Sequence, residues 1–267
     1  MRRARSKRLF LGLVLVAFAA TLGFARAGSA QVATYRLTVD NTWSEATHPG
    51  NFPSDAHFSW IGGATHDGSV SFWSEGALAT PGIKQMAETG ETFALLGEVG
   101  TAVSAGTADS ALDWKYWFCP PATTHPSCGS LVVEFQVDAA FPLVTLATML
   151  GPSPDWFVGV SGLALHDGSN WIDDIVIDLR PYDGGTRDQN LFQLFGPLTT
   201  PPEPVSLITT ASGQLIGPGS LGSFHFERIS VAVPTFGPTA RFLLVAALAA
   251  IAVFGAAHGA RSCPIPR

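Results

Sequence analysis

The chain has 267 residues, of which 46% are hydrophobic and only 13% charged, and its formal net charge is −6. Nine of its 15 Lys and Arg residues lie near the ends (Arg2, Arg3, Arg5, Lys7, Arg8, Arg26, Arg241, Arg261, Arg267). All 21 acids lie between them, so the interior sets six cations against 21 anions and carries −15. Binding to a phosphate backbone requires basic clusters, so nucleic acid is excluded as a partner, while cation binding and solubility are favoured.

Met1 to Arg8 is basic and acid-free, and Leu9 to Phe24 is apolar apart from one threonine. This is the pattern of a secretory signal peptide over residues 1–30, and the apolar run is short for a spanning helix. Ala25-Arg26-Ala27 and Gly28-Ser29-Ala30 both fit a small-x-small cleavage site. Residues 31–235 then form one exported domain, of ordinary size for a single all-β fold.

Within the domain the hydrophobic period is mostly two. Strands are expected at Tyr35–Val39, Ser69–Trp73, Leu131–Val137, Leu143–Met149, Trp156–Val160, Ile172–Leu179 and Phe224–Val233. Turn-forming Gly, Pro, Ser, Thr and Asp separate them, and residues 196–204 and 212–223 read as surface loops. One helix has both its signals: Thr80 as N-cap with Pro81 behind it, Ile83 and Met86 as apolar positions, and Gly90 as the stop. These elements predict an antiparallel β-sandwich with one short helix. Cys119 and Cys128 bracket a proline-rich loop and are expected to form a disulfide, stabilising by about 2 to 3 kcal/mol in the chain-entropy model.

Before the strand at Trp156 stands Pro152-Ser153-Pro154-Asp155. Proline fixes φ and pushes its predecessor towards extended geometry, so the two prolines should hold Asp155 at the mouth of that strand. From Asp155 the chain runs out along Trp156–Val160, turns at His166-Asp167-Gly168-Ser169, and returns along Ile172–Leu179 to Asp183. Out and back puts both aspartates at the same end. Two anionic loops on one edge suit calcium, which takes several oxygen ligands, better than zinc. Two solvated loop aspartates are the alternative.

At the far end, Phe242 to Ala260 is a 19-residue run whose only ionisable side chain is His258, enough to cross a bilayer core as a transmembrane helix. Arg261 and Arg267 after it predict an inside C-terminus. Val233-Pro234-Thr235-Phe236-Gly237-Pro238 leads into this run, and residues 236–267 resemble the PEP-CTERM type of bacterial sorting segment. The resemblance implies anchoring in the cell envelope, at least transiently.

Several blocks occur in the order of a known family. Trp43-Ser44 with His48-Pro49, His57-Phe58-Ser59, Ile61-Gly62-Gly63-Ala64-Thr65-His66, Ser71-Phe72-Trp73-Ser74-Glu75-Gly76 and Gly82–Gly90 are followed by Pro152–Gly162 and Asp178-Leu179-Arg180-Pro181-Tyr182-Asp183-Gly184-Gly185-Thr186. From about residue 35 to 205 the chain resembles the spondin domain, the N-terminal module of the F-spondin/mindin family of animal extracellular matrix proteins. The resemblance implies a sandwich with one bound calcium, held by carboxylates that match Asp155 and Asp183. A family position that supplies a glutamate falls on Gln136, which offers only a neutral carbonyl, although strand counting places Gln136 nearer the opposite end. It also implies adhesion or recognition of an extracellular matrix, glycan or cell-surface ligand, a glycan-binding surface module being the alternative.

Catalysis has no matching constellation. His57, His66 and His166 with Asp67 and Asp167 form no HExxH pair, and Gly159-Val160-Ser161-Gly162 lacks the spacing of a nucleophile elbow. His66 and His166 each open a His-Asp-Gly-Ser turn, for which a structural role is expected. An envelope hydrolase using a His/Asp site is therefore the weakest reading, and the expectation is a protein that is not an enzyme.

Overall fold

A computed structural model describes residues 31–48, 52–115, 131–209 and 219–232. The expected signal peptide, the Cys119–Cys128 disulfide and the C-terminal spanning run lie outside these residues. Among the described residues no helix is long and apolar enough to cross a membrane.

The domain is an antiparallel sandwich of two sheets. One holds β1 (Val32–Asn41), β5 (Leu131–Asp138), β8 (Asp174–Asp178) and β11 (Gly222–Ala232) in the order β5-β1-β11-β8. The other holds β3 (Ile61–His66), β4 (Ala108–Trp114), β6 (Leu143–Gly151), β7 (Trp156–Ala164), β9 (Tyr182–Asp183) and β10 (Ser206–Leu207) in the order β10-β9-β7-β6-β3-β4, with β2 (His57–Phe58) also paired to β6. Tyr35, Leu37, Val39, Phe135, Val137, Phe224 and Phe226 from the first sheet meet Ile61, Leu146, Trp156 and Val158 from the second in the main core.

β1 alternates buried and half-buried positions, as a strand with one covered face must. β3 and β6 do not alternate, because the larger sheet is covered on its other face as well. There α1 (Pro81–Thr89) and α2 (Phe93–Ala105) pack Ile83, Met86, Leu95 and Val99 against Ala64, Ala147, Met149 and Phe157. α1 is capped as its sequence dictates: Thr80 Oγ1 accepts from the Ile83 N–H, and Gly90 closes it in the left-handed region at φ 75°. α2 is a second helix beyond the one expected; two internal glycines and the lack of a side-chain cap at Thr92 conceal it. Ser69–Trp73 is not a strand. Phe72 and Trp73 are buried under the helices instead, with the Trp73 ring edge-on to Phe157 at 5.1 Å.

Gly159 lets β7 approach β6, since a Cβ there would lie 2.1 Å from the Leu146 carbonyl oxygen. Gly159→Ala is expected to lower stability by about 3 kcal/mol through overpacking. A fall in the urea midpoint at unchanged m-value would report it.

The strand register defines two poles. Val32 pairs with both Ala232 and Asp138, so the domain's two ends lie side by side at one of them. Asn41 pairs with Gly222 at the other, about 30 Å away along the strand. Trp43 follows there, and its ring meets Phe192 at 5.4 Å, as does that of Trp156 at the start of β7. Asp155 therefore lies at the pole remote from the chain ends.

Candidate metal-binding rim

Asp155 immediately precedes β7 and is fully buried. Its carbonyl accepts from the Gly184 N–H at 3.0 Å, and β7 pairs with β9 so that Trp156 stands opposite Asp183. The ladder thus sets the two aspartates beside each other at one end, as the out-and-back path requires. A Cβ added at Gly184 would come 2.9 Å from the Asp155 carbonyl oxygen, so this position admits only glycine without a backbone shift. Gly185, at φ 69°, turns the chain back, and its N–H donates to Asp183 Oδ1 at 2.7 Å.

The two oxygens of Asp155 are treated unequally. Oδ2 accepts from the Thr186 N–H at 2.7 Å and the Arg187 N–H at 2.9 Å, with the Thr186 hydroxyl 3.0 Å away. Oδ1 is buried and accepts no hydrogen bond among the described residues. An orphaned buried oxygen of this kind costs free energy unless something cationic or protic meets it.

A third acid, Glu88, approaches from the last turn of α1 and is 6% exposed. Its Oε2 accepts from Arg187 Nη2 at 2.6 Å, and Oε1 accepts from Lys84 Nζ and from the Thr186 hydroxyl at 2.8 Å. Thr186 has one hydroxyl proton for two carboxylates, and the nearer oxygen is that of Glu88. Asp155 is therefore held by backbone amides and Glu88 by side chains.

Electrostatics follows this division. Burial pushes Asp155 above the usual carboxylate range against the pull of the two backbone N–H groups and the Thr186 hydroxyl, and the Glu88 charge pushes the same way as burial. Asp183 is pushed up to about 6, first by burial and then by the charge of Asp155. Burial also raises Glu88, but the hydrogen bonds from Arg187, Lys84 and Thr186 outweigh it and hold this acid low. The rim thus contains one acid in direct ion pairs and two, Asp155 and Asp183, that make none among the described residues, Asp155 feeling the Arg187 charge only at a distance.

Gln136 is not brought to the rim. It stands on β5 opposite Thr34, two positions from Val32 at the pole of the chain ends, and it is exposed on the outer face of the smaller sheet. Only the four residues Ala139–Pro142 join β5 to β6, the tight connection under which strand counting puts it there. Among the described residues no three His, Cys, Asp or Glu side chains converge as a metal group.

The histidines of interest lie elsewhere. His66 is buried with Nδ1 2.7 Å from the Asp67 carbonyl and Nε2 2.7 Å from Thr145 Oγ1, a structural bridge between β3 and β6. In both His-Asp-Gly-Ser turns the aspartate caps, Asp67 Oδ1 accepting from Ser69 N and Asp167 Oδ1 from Ser169 and Asn170 N, and in the second His166 Nδ1 also accepts from the Gly168 N–H at 3.1 Å, the structural role expected of it.

Sequence reasoning missed Glu88, Thr186 and Arg187 as rim residues. Glu88, four positions after Lys84, has the spacing of an exposed helical ion pair, which disguises its burial. The available signal was its place beside Ala87 on the apolar face of α1.

The Spondin_N family model matches residues 33–215. Spondin-2 of Homo sapiens is 33% identical over 217 residues, covering 80% of this chain and 61% of that protein. Spondin-2 of Rattus norvegicus is 30% identical over 206 residues, covering 76% and 59%. Spondin-1 of Gallus gallus is 35% identical over 188 residues, 67% of this chain but 22% of that protein. The chain thus spans about three fifths of the Spondin-2 proteins and about a fifth of Spondin-1.

Proposed function

Because the chain belongs to the Spondin_N family, we propose that it is an exported, envelope-anchored recognition module, with no catalytic role, whose Asp155–Asp183 rim holds calcium and meets an extracellular or cell-surface ligand. The observation that carries the reading is the buried, unpartnered Oδ1 of Asp155 on the rim it shares with the Asp183 carboxylate, two hard anionic groups with no direct ion pair among the described residues. Such a donor set fits calcium. Bound there, the ion would supply positive charge to two repelling acids and leave positions for a ligand's carboxylate or hydroxyl. With two carboxylates as the proposed ligands, affinity is expected in the range of extracellular modules, on the order of 10⁻⁴ to 10⁻³ M. Gly185 and the Thr186 and Arg187 amides fix the orientation of both side chains before any ligand arrives.

Thermal unfolding of the purified protein in chelator and in a calcium series tests this. Saturation at about 100 Kd should add about 2.7 kcal/mol. Asp155→Asn and Asp183→Asn should each remove the calcium-dependent part. A melting temperature indifferent to calcium refutes the site.

A further inference from the structure

The segment after Arg187 concentrates exposed apolar side chains. Among the described residues ten large hydrophobic side chains are exposed, and four of them, Leu191, Leu194, Phe195 and Leu198, fall within eight positions. Phe195 is 68% exposed and sits at φ 61°, a left-handed conformation that a bulky residue adopts at a cost. Its side chain is turned away from the core, so the cost is not offset by packing within the chain. Patches of this kind on a soluble domain mark contact sites.

The loop is also prepared for an interface poor in water. From Gln189 to Pro202 there is no Asp, Glu, Lys or Arg, in a domain that otherwise carries −15. Several of its polar groups are satisfied internally. The Asp188 N–H donates to the Pro197 carbonyl at 2.9 Å, Gln193 N–H to Leu191 at 2.8 Å and Thr199 N–H to Thr186 at 3.1 Å, while the Gln189 amide donates to the Gln193 side chain at 3.3 Å. Arg187 Nη1 holds the Gly196 carbonyl at 3.0 Å, and Phe192 wedges between Trp43 and Trp156. The two ends of the loop are thus tied together and to the rim while the leucines and Phe195 face out, so part of the ordering that docking requires is already in place.

We propose that this loop, led by Phe195 and flanked by Leu191, Leu194 and Leu198, is a membrane-contact loop that inserts into the interface of a lipid bilayer. The chemistry selects the lipid interface over a protein groove: an uncharged apolar segment brings no side-chain charge to desolvate and offers a partner protein no charge to pair with, and at headgroup depth its backbone polar groups stay hydrated. A second copy is disfavoured by the domain's own negative charge. The loop caps the pole remote from Val32 and Ala232, so it is presented away from the points where the chain enters and leaves the domain.

The test uses the full chain carrying Phe195→Trp, with the unsubstituted chain as the background to subtract. Both are mixed with phosphatidylcholine vesicles with and without brominated acyl chains, in chelator. At a position this exposed the new indole should leave the melting temperature unchanged. Its added fluorescence should shift to the blue on vesicles and fall about twofold or more with brominated lipid. Replacing part of the phosphatidylcholine by phosphatidylglycerol should weaken both, because the domain's −15 repels an anionic surface, and raising the salt should restore them. Fluorescence at 195 that ignores brominated lipid overturns the proposal. So does a blue shift without lipid that grows with protein concentration, which would place the loop against a second copy. Chelator keeps this outcome separate from that of the calcium site.

Discussion

Asp183→Asn is expected to make the metal-free protein more stable at pH 7, by on the order of 1 to 2 kcal/mol after discounting for partial exposure. The carboxyl is pushed up to about 6 in the folded state against roughly 3.9 in an unfolded chain, so folding at neutral pH disfavours the ionised form. Asparagine keeps an oxygen of the same placement to accept the Gly185 N–H and removes the charge that faces Asp155. The pH dependence has a definite sign. Between about pH 4 and pH 6 the folded protein holds a proton that the unfolded chain has lost, so this residue makes stability fall as pH rises through that window. Asp155, also raised, acts in the same direction, whereas the lowered Glu88 acts in the opposite one. The quantity to measure is therefore the difference between parent and variant in chelator, by urea unfolding across the window. It should grow from near zero at pH 4 and level off above pH 6. A difference independent of pH, or a less stable variant at pH 7, would contradict the raised carboxyl. In calcium the order should invert at neutral pH, because the parent gains binding energy that the variant lacks.

The rim was legible in part, for a topological reason. Asp155 and Asp183 could be placed together because a strand out and a strand back return the chain to the end it left, an argument that needs no side-chain contact. The same counting put Gln136 at the far pole, and the structure has it there, exposed beside Thr34. What period and turn chemistry did not convey was the second covered face of the larger sheet. With α2 hidden by its glycines, β3 and β4 were not expected as strands, and the aromatic residues of Ser69–Trp73 had the look of a strand although they pack beneath the helices. Glu88 was illegible for a related reason. Burial of an acid depends on the cation that reaches it, and Arg187 stands 99 positions away in sequence.

Arg187→Met should be the most damaging single change at the rim, costing about 3 to 5 kcal/mol. Methionine preserves much of the apolar stem, so the loss measures the guanidinium and not the packing. With that group gone, Glu88 Oε2 loses its 2.6 Å partner, and Lys84, whose side chain is 42% exposed, neutralises the acid only from the solvent side. The Gly196 carbonyl loses its 3.0 Å donor at the same time, so the apolar loop is released from its base. These two consequences separate in a double variant. Adding Glu88→Gln removes the stranded charge while keeping an acceptor for Thr186, and should recover roughly half of the loss, because a buried charge without its partner outweighs a neutral amide in the same place. The part that is not recovered belongs to the loop and should appear as faster amide exchange over Gln189–Leu198 with the β7 core unchanged. Were Arg187→Met to cost under about 0.5 kcal/mol, or Glu88→Gln to recover nothing, the ion pair would be a surface contact and not the post on which rim and loop both hang.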